Sequence, residues 1–591
     1  MWFKYFQIMV WSFLLSGGLQ ACQKTNEKLE NQSEYRTLNY SLTPVLNNDK
    51  GNSLVIELDF TGDSDGETEI VLGQAWADEQ TPWTRFKNIS LTSNGQTLPF
   101  NNNESRLTVI HDTDAPLKLT YYLHQNDGRK ADGDSGFFYA PVLQDDMYHL
   151  IGWSSLAVPL ISKRNPTSKR TARVKLNWHL PENWQSSASF DVNAQKSIPL
   201  DEIFRTSITA GNFNVTSRAL GNKHLSVIMT GKWPFSEKQF ADKLSHILTA
   251  LNTSWDDSPV DYQVSLLPIP PIPNGSSITG TGLNHAFAAA GTENLQLDFL
   301  TMFLTHEMTH DWIPNRLGSF PTCEEENRDC SAAIYWFSEG FTEFYALSLL
   351  KEYELISHQT FIEKTNKNLR EYYLSPARNV SNVKIQDDFW NNPDVERQPY
   401  LRGFLLALNW DFDIAKKTKG KFNITNALRS LKNKAQKQNG SLPELTQNYL
   451  ASHFNEWTEL DTIKDIEAYI IAGNTIIPNP DALGSCITME LKRIYRYSLG
   501  FDVDASLGSG IFSGVDKSHN AHRAGLRDGQ EFISKVKGGG GDTTQPIVLK
   551  IKDKEKVSNV SYLPIGNDSL QIPQFVKAVA KDCPAIAPQA Q

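Results

Sequence analysis

Hydrophobic and polar residues alternate along much of the segment 38–205. The alternation is clearest in 54–60, 117–123 and 172–178, and turn-forming Asn-Asp, Asn-Gly and Asp-Gly pairs interrupt it. Successive side chains of a strand point to opposite faces of a sheet, so a period of two is typical of half-buried strands. The pattern therefore predicts an N-terminal antiparallel β domain over 38–205, most simply a β-sandwich.

From residue 206 onward the apolar residues follow a helical spacing instead. In 235–251 they recur every three or four positions, as on one face of a helix. Comparable patterns predict further helices at 294–312, 331–352, 358–374, 399–416 and 443–453. We therefore expect a mostly α domain over 206–478. Beyond Pro478 short strand patterns and glycines return, which predicts a second β domain over 479–591.

Composition narrows the class of protein. The chain has 591 residues, enough for several domains at roughly 100–200 residues each. Hydrophobic residues make up 40% and charged residues 21%, as in well-packed globular proteins. The 67 acidic residues outnumber the 57 basic ones, and the net charge of −10 argues against a nucleic-acid partner.

The N-terminus carries an export signal. Lys4 precedes an apolar stretch at 6–15, which is about as long as a signal-peptide core and too short to cross a bilayer. Small residues and Leu-Gln-Ala-Cys22 follow, and this resembles the bacterial lipoprotein signal, in which cleavage precedes a lipid-bearing cysteine.

This resemblance implies a signal peptide at 1–21, lipidation of Cys22 and a flexible polar tether at 22–37. We expect a protein of the bacterial cell envelope, attached to the membrane through its lipid, with Gln23 favouring the outer membrane in a Gram-negative host. An ordinary cleaved signal peptide is the alternative.

The strongest chemical signal is His306-Glu307-x-x-His310 within the predicted helix 294–312. Residues four apart lie one turn apart on the same face, so both imidazoles can reach one metal ion. Glu307 then lies beside the ion's open coordination position. Such polar groups on a hydrophobic helix would be costly to bury without a charge to satisfy them.

A catalytic zinc needs a third protein ligand. The next helical pattern offers Glu339 and, one turn later, Glu343. We assign Glu339 as the ligand and Glu343 as the partner of an imidazole N–H, but on spacing alone the two residues could exchange roles.

These residues resemble a family of enzymes. His306-Glu307-x-x-His310-x-Trp312 with a later Trp336-x-x-Glu339-Gly340-x-Thr342 is similar to the gluzincin metallopeptidases, and in particular to the glycyl aminopeptidase family. The resemblance implies a thermolysin-like catalytic domain with one Zn²⁺ per chain, a water nucleophile and Glu307 as general base. The family's oxyanion donor is a tyrosine in Pro-Tyr-x-Lys-Gly, and Tyr400 in Pro-Tyr-Leu-Arg-Gly matches it.

One departure concerns substrate binding. Relatives carry Gly-Gly-Leu-Glu-His upstream of the zinc helix, and their Glu binds the substrate's α-amine. This chain has Gly282-Leu283-Asn284-His285 there. Gly282 and Leu283 can still bind a peptide backbone as an edge strand, but Asn284 forms no ion pair. Either Glu293 substitutes for the lost carboxylate, or the enzyme accepts internal or blocked peptides.

Residues 486–580 resemble a PDZ domain, through Leu499-Gly500-Phe501 and Ala524-Gly525-Leu526, with Gln530 where Asp is usual. Such a domain either binds a peptide C-terminus or has a purely structural role.

The five cysteines fit this division of the chain. With Cys22 lipidated, we predict that Cys323 pairs with Cys330 and Cys486 with Cys583.

The sequence thus predicts a zinc peptidase that acts on peptides or proteins at the bacterial envelope. The alternative is a peptide-binding envelope lipoprotein whose catalytic activity is weak or lost.

Overall fold

The structure is a computed structural model. It describes residues 36–46, 51–76, 79–124, 138–160, 171–190, 192, 197–272, 275–322, 329–436, 442–539, 541 and 543–577.

The N-terminal region is built from strands and two short helices, α1 (Gly152–Ser155) and α2 (Leu200–Phe204). Its strands are β1 (Arg36–Val45), β2 (Ser53–Thr61), β3 (Glu67–Leu72), β4 (Phe86–Ser93), β5 (Gln96–Thr97), β6 (Phe100–Asn103), β7 (Arg106–Ile110), β8 (Pro116–His124), β9 (Val142–Leu143), β10 (Met147–Ile151), β11 (Ala157–Pro159), β12 (Thr171–Trp178), β13 (Gln185–Ala188), β14 (Ile198–Pro199) and β15 (Ser207–Gly211).

These strands form a seven-stranded sheet, in the order β14-β12-β1-β2-β8-β4-β5, and two four-stranded sheets, β13-β15-β10-β9 and β11-β3-β7-β6. The period-two prediction is confirmed in β2, β8 and β12, whose residues alternate between buried and more exposed positions. The prediction that the strands are all antiparallel is wrong at one place, because β1 and β12 run parallel. A hairpin forces antiparallel neighbours, but β12 reaches β1 only after a long intervening segment, which leaves its direction free.

The middle region combines a five-stranded sheet with a layer of helices. Its strands are β16 (Val215–Leu220), β17 (Lys223–Met229), β18 (Tyr262–Ile269), β19 (Ile278–Leu283) and β20 (Ala286–Thr292), in the spatial order β16-β17-β18-β20-β19. Its α-helices are α3 (Glu237–Trp255), α4 (Leu297–Thr309), α5 (Thr342–Glu352), α6 (His358–Leu374), α7 (Asn382–Asp388), α8 (Pro393–Glu396), α9 (Gln398–Lys417), α10 (Ile424–Gln436), α11 (Gln447–Asn455) and α12 (Thr462–Asp465). A 3₁₀ turn (Cys330–Ile334) and π-helical turns (Trp336–Phe341 and Ile466–Ile471) complete it.

The central strands of this sheet, β18 and β20, are buried on both faces. Ala286, Ala288 and Ala290 of β20 belong to the hydrophobic core of the N-terminal region, whereas Phe287 and Ala289 belong to the core of the helices. Because both faces are apolar, these strands lack the alternation that reveals a half-buried strand. This explains why the sequence patterns predicted the helices but not the sheet.

The C-terminal region contains β21 (Ile487–Tyr497), α13 (Val503–Ser509), α14 (Asn520–Arg523), β22 (Glu531–Lys537), β23 (Ile547–Asp553), β24 (Lys556–Tyr562) and β25 (Ile565–Lys577). Strands β21 and β25 form a long ribbon, and β22-β23-β24 form a separate sheet. Asn366 of α6 donates to the carbonyl of Phe575 (2.8 Å) and accepts from its N–H (2.7 Å), which ties the ribbon to the helical layer.

The segment 498–501, which contains the PDZ-like Leu499-Gly500-Phe501 and would form the carboxylate-binding loop of such a domain, leads into helix α13. Asp502 caps α13 by accepting from the N–H of Ala505, and the N–H of Gly500 donates to Ser498 Oγ. The loop is therefore not followed by the strand that a peptide would extend. A PDZ-like identity for this region stays a prediction.

Two of the predicted disulfide cysteines can be described. Cys330 and Cys486 are both disulfide-bonded. Cys323 and Cys583, their predicted partners, lie outside the described residues, as do Cys22 and the signal peptide. Both pairings and the lipidation stay predictions. No helix within the described ranges has the length and apolar character needed to span a bilayer.

Candidate metal centre

Helix α4 carries the two histidines into the core. The helix is surrounded by apolar partners, and Phe303, Leu304 and Met308 are among its buried residues. The hydroxyl groups of its buried threonines form hydrogen bonds within the helix. Thr305 donates to the carbonyl of Thr301, and Thr309 donates to the carbonyl of Thr305. A helix with these polar residues can therefore be buried on all sides without leaving hydroxyl groups unpaired.

Three potential ligand atoms converge at the end of this helix. His306 Nε2 lies 3.2 Å from His310 Nε2, and Glu339 Oε2 lies 3.4 Å from each of them. Ligands arranged tetrahedrally at about 2.0–2.1 Å from zinc are themselves about 3.3–3.4 Å apart. The three atoms therefore already have the spacing of three corners of a zinc tetrahedron.

The outer nitrogen of each imidazole faces an oxygen atom. His310 Nδ1 lies 2.8 Å from the carbonyl oxygen of Ile313, and His306 Nδ1 lies 3.2 Å from Glu343 Oε2. A carbonyl can only accept, so Nδ1 of His310 carries the hydrogen and its Nε2 presents a lone pair; the carboxylate favours the same tautomer for His306.

Two lone pairs and a carboxylate oxygen thus face one point in a buried site, and Glu339 Oε2 has no hydrogen-bond partner among the described residues. Such an arrangement requires a cation, and this donor set fits zinc. His306, His310 and Glu339 would hold it.

The structure distinguishes the two glutamates that the sequence left interchangeable. Glu339 faces both Nε2 atoms, whereas Glu343 faces only the outer nitrogen of His306. Burial disfavours their charged forms, but the neighbouring imidazoles hold the pKa of Glu339 at about 2, and His306 with Arg397 holds that of Glu343 at about 2. Both carboxylates are therefore charged at neutral pH.

Glu339 lies in the π-helical turn Trp336–Phe341. Such turns widen a helix locally and are frequent at functional sites. Gly340 of this turn faces Gly403 of α9, and a Cβ on Gly403 would overlap the carbonyl oxygen of Trp336. The two glycines let the backbones touch, and this contact fixes α9 relative to the ligand Glu339.

Tyr400 lies on α9 beside the predicted ligands. Its ring centre is 6.2 Å from that of His306, and only 6% of the residue is exposed. Burial, assisted by the charges of Glu339 and Glu307 among others, raises the pKa of Tyr400 well above its usual range. The hydroxyl is therefore protonated at neutral pH and able to donate.

Glu307 is also buried, at 8% exposure. Burial is the main cause that raises the pKa of its carboxyl, while the two imidazoles oppose the shift. A raised carboxyl pKa suits a group that accepts a proton during a reaction at neutral pH.

Sequence reasoning missed Arg397, which supports this site from one turn before Tyr400. Its guanidinium is 5.3 Å from the ring centre of Tyr400 and 3.2 Å from Glu371 Oε2, and its charge also acts on Glu343. The position three residues before the tyrosine was the signal available in the sequence.

The predicted substrate-binding run forms the outermost strand of the sheet and its turn. Gly282 and Leu283 lie at the end of β19, the edge strand, which packs against α4. Gly282 is exposed, whereas the side chain of Leu283 is buried.

Asn284 occupies the turn between β19 and β20, and its Nδ2 donates to Glu202 Oε2 at 2.9 Å. The sequence offered Glu293 as a replacement carboxylate, but Glu293 follows the far end of β20 and accepts from the N–H of Lys232. The strand between them spans about 20 Å. The carboxylate beside Asn284 is Glu202, which sequence reasoning missed because α2 is distant in the chain.

The fold and the site together define a zinc metallopeptidase. Residues 299–396, which carry the histidines and both glutamates, match the M61 glycyl aminopeptidase family. No curated protein sequence matches the chain significantly.

A solved structure shows a similar architecture. An aminopeptidase N family protein from Idiomarina loihiensis is 13% identical, with a TM-score of 0.61, and the match covers 92% of this chain and 98% of the other. An M1 zinc metallopeptidase from Deinococcus radiodurans is also 13% identical, with coverage of 76% and 97% and a TM-score of 0.43.

Proposed function

We propose that this protein hydrolyses peptide bonds with Glu307 as general base, Tyr400 as oxyanion donor and His306, His310 and Glu339 as zinc ligands. The observation that carries the proposal is the convergence of two imidazole lone pairs and the Glu339 carboxylate at tetrahedral spacing. When bound, zinc supplies a Lewis acid and lowers the pKa of a coordinated water.

Glu307 takes the proton of the attacking water and returns it to the leaving amine. Its carboxyl is buried next to the ligand histidines, and its raised pKa makes it a stronger base than an exposed glutamate. Tyr400, kept protonated by burial and the nearby carboxylates, donates a hydrogen bond to the oxygen that gains negative charge.

The substrate is a peptide whose backbone extends β19. This outermost strand packs against the helix that carries the zinc ligands, and an extended peptide can add to such a strand wherever its outward backbone groups are accessible. The signal sequence and Cys22 support a lipid-anchored enzyme of the bacterial envelope, which would meet peptides or proteins outside the cytoplasm.

Zinc content and peptide hydrolysis of the purified protein test this function together. We expect about one zinc per chain and hydrolysis of short alanine peptides that stops after chelation and returns with zinc. Glu307→Gln should keep the zinc and the fold but lower kcat by about 10²–10⁴.

Glu352→Gln on the surface end of α5 is the matched control and should act as the wild type. Zinc-loaded protein that cleaves no peptide would support the alternative, a peptide-binding protein without activity. Full activity in the Glu307 variant would show that another residue is the base.

A further inference from the structure

The edge of β19 is covered along most of its length. In the β19–β20 hairpin, the N–H of Thr292 donates to the carbonyl of Ser277, and Ile278 lies opposite Gly291. This pairing determines which residues of β19 bond to β20 and which direct their backbone groups outward. Residues 279, 281 and 283 therefore bond to β20, whereas 278, 280 and 282 direct their N–H and C=O groups outward. Only these outward residues can pair with a peptide.

The N-terminal region closes this edge on one side of Gly282. The hydroxyl of Tyr139 donates to the carbonyl of Gly280 at 3.1 Å and lies 2.9 Å from Thr279 Oγ1. Trp76 Nε1 donates to Thr281 Oγ1 at 3.0 Å. The outward carbonyl of Gly280 is therefore already engaged, and all residues from 278 to 281 are buried.

Helix α2 and the residue after it close the other side. The N–H of Asn284 donates to the carbonyl of Arg205 at 2.8 Å, and its side chain donates to Glu202 at 2.9 Å. The hairpin turn is thus attached to the end of α2 and is not free to pair with a peptide.

An aromatic stack joins the two borders. Trp76 stacks on Trp153 with ring centres 5.3 Å apart, and Trp153 stacks on Phe204 of α2 at the same distance. Between the border at Gly280 and the border at Asn284, Gly282 is the one exposed residue of β19, and a Cβ placed on it would meet nothing within 4 Å. The opening is therefore one residue wide and rigidly framed.

We propose that this opening admits only the end of a peptide, which pairs with Gly282, and that the Glu202 carboxylate at its border binds the substrate's free α-ammonium group. This inference rests on the proposed function. Glu202 belongs to the border formed by α2, and its carboxylate receives a hydrogen bond from Asn284, which lies two residues beyond Gly282. Two residues of chain span at most about 7 Å, and the Asn284 side chain bonds directly to the carboxylate, so Glu202 borders the turn that follows Gly282.

The charges around Glu202 agree with a cationic ligand. Burial is the main cause that raises the pKa of Glu202, and the negative charge of Asp201 adds to the shift. The positive charge of Arg205 lowers this pKa, but by less than the other two effects raise it. An arriving ammonium group would stabilise the charged carboxylate, whereas an acetylated terminus would leave it without that partner.

The first test compares free and N-acetylated alanine tripeptides. The zinc-loaded wild type should cleave the free peptide at least about ten-fold better in kcat/KM, and Glu202→Gln should lower this ratio about ten-fold. Glu352→Gln removes the same charge at an exposed position at the end of α5 and should keep the wild-type ratio.

A second test uses alanine peptides of increasing length. Because pairing ends at Gly280, kcat/KM should level off beyond about three residues. Tyr139→Ala removes the ring that covers the Gly280 carbonyl and should restore a gain of a few-fold for longer peptides, whereas Tyr139→Phe keeps the ring and should keep the plateau.

The outcomes separate the two proposals. Equal cleavage of free and acetylated peptides, an unchanged ratio in Glu202→Gln, or a rate that keeps rising with length would overturn this inference and leave the peptidase intact. Zinc-loaded protein that cleaves none of the peptides would overturn the proposed function and this inference with it.

Discussion

Replacing Glu343 by Gln tests the separate roles that the structure gives to Glu339 and Glu343. Glu343 Oε2 lies 3.2 Å from His306 Nδ1, on the side of the ring opposite to the other ligands. The substitution keeps the shape of the side chain but removes the charge that fixes this imidazole. Arg397 remains paired with Glu371, so the rest of the network is retained.

The expected loss is moderate. Removing the hydrogen-bond partner of a metal-bound histidine typically costs 10–100-fold in metal affinity, or about 1.4–2.7 kcal/mol. Glu343 belongs in this range because it touches one imidazole and none of the three converging atoms. Glu339→Gln removes a ligand and should abolish stoichiometric zinc binding at the same protein concentration.

Competition with a chelator at about pH 7.5 measures the zinc affinity of each variant. Glu352→Gln, at the other end of α5, is the control for losing a charge from this helix. An affinity of Glu343→Gln equal to that of the control would refute the assigned role. Loss of zinc from Glu343→Gln together with retention in Glu339→Gln would mean that the two glutamates have been exchanged.

Three further results are expected. Tyr400→Phe should lower kcat by about 10²–10³ with zinc content unchanged, since it removes only the oxyanion donor; an unaffected kcat would exclude that role. Gly403→Ala should destabilise the fold by about 1–3 kcal/mol in thermal unfolding and weaken zinc binding, whereas Gly508→Ala, whose Cβ meets nothing, should do neither. Burial lowers the pKa of His149 from 6.5 to about 3. Below pH 6.5 the unfolded chain therefore binds a proton that the folded protein excludes, and the free energy of unfolding should fall by up to about 1.4 kcal/mol per pH unit down to pH 3. His149→Gln should reduce this slope in urea titrations at several pH values, and an unchanged slope would contradict it.

Several features of the fold and the site follow from local spacing along the chain. One helical turn separates His306 from His310, so any helix through them places both imidazoles on one face. The alternation in 54–60 and 117–123 likewise determined β2 and β8, because each strand has one buried face.

The choice between Glu339 and Glu343 as ligand depends on long-range packing. Both residues lie on one face of the same helical stretch, and their roles depend on where α4 crosses it, which no local pattern encodes. The same holds for the central strands β18 and β20, which are buried on both faces, and for the parallel pairing of β1 with β12.

The border around Gly282 is the clearest product of tertiary structure. Trp76, Tyr139 and Glu202 are far from the zinc motif in the chain and follow no recognisable spacing. Packing of the N-terminal region against the outer face of the β16–β20 sheet brings them to one strand edge. Spacing along the chain therefore predicted which residues could form the metal site, whereas long-range packing decides which part of the strand edge is exposed.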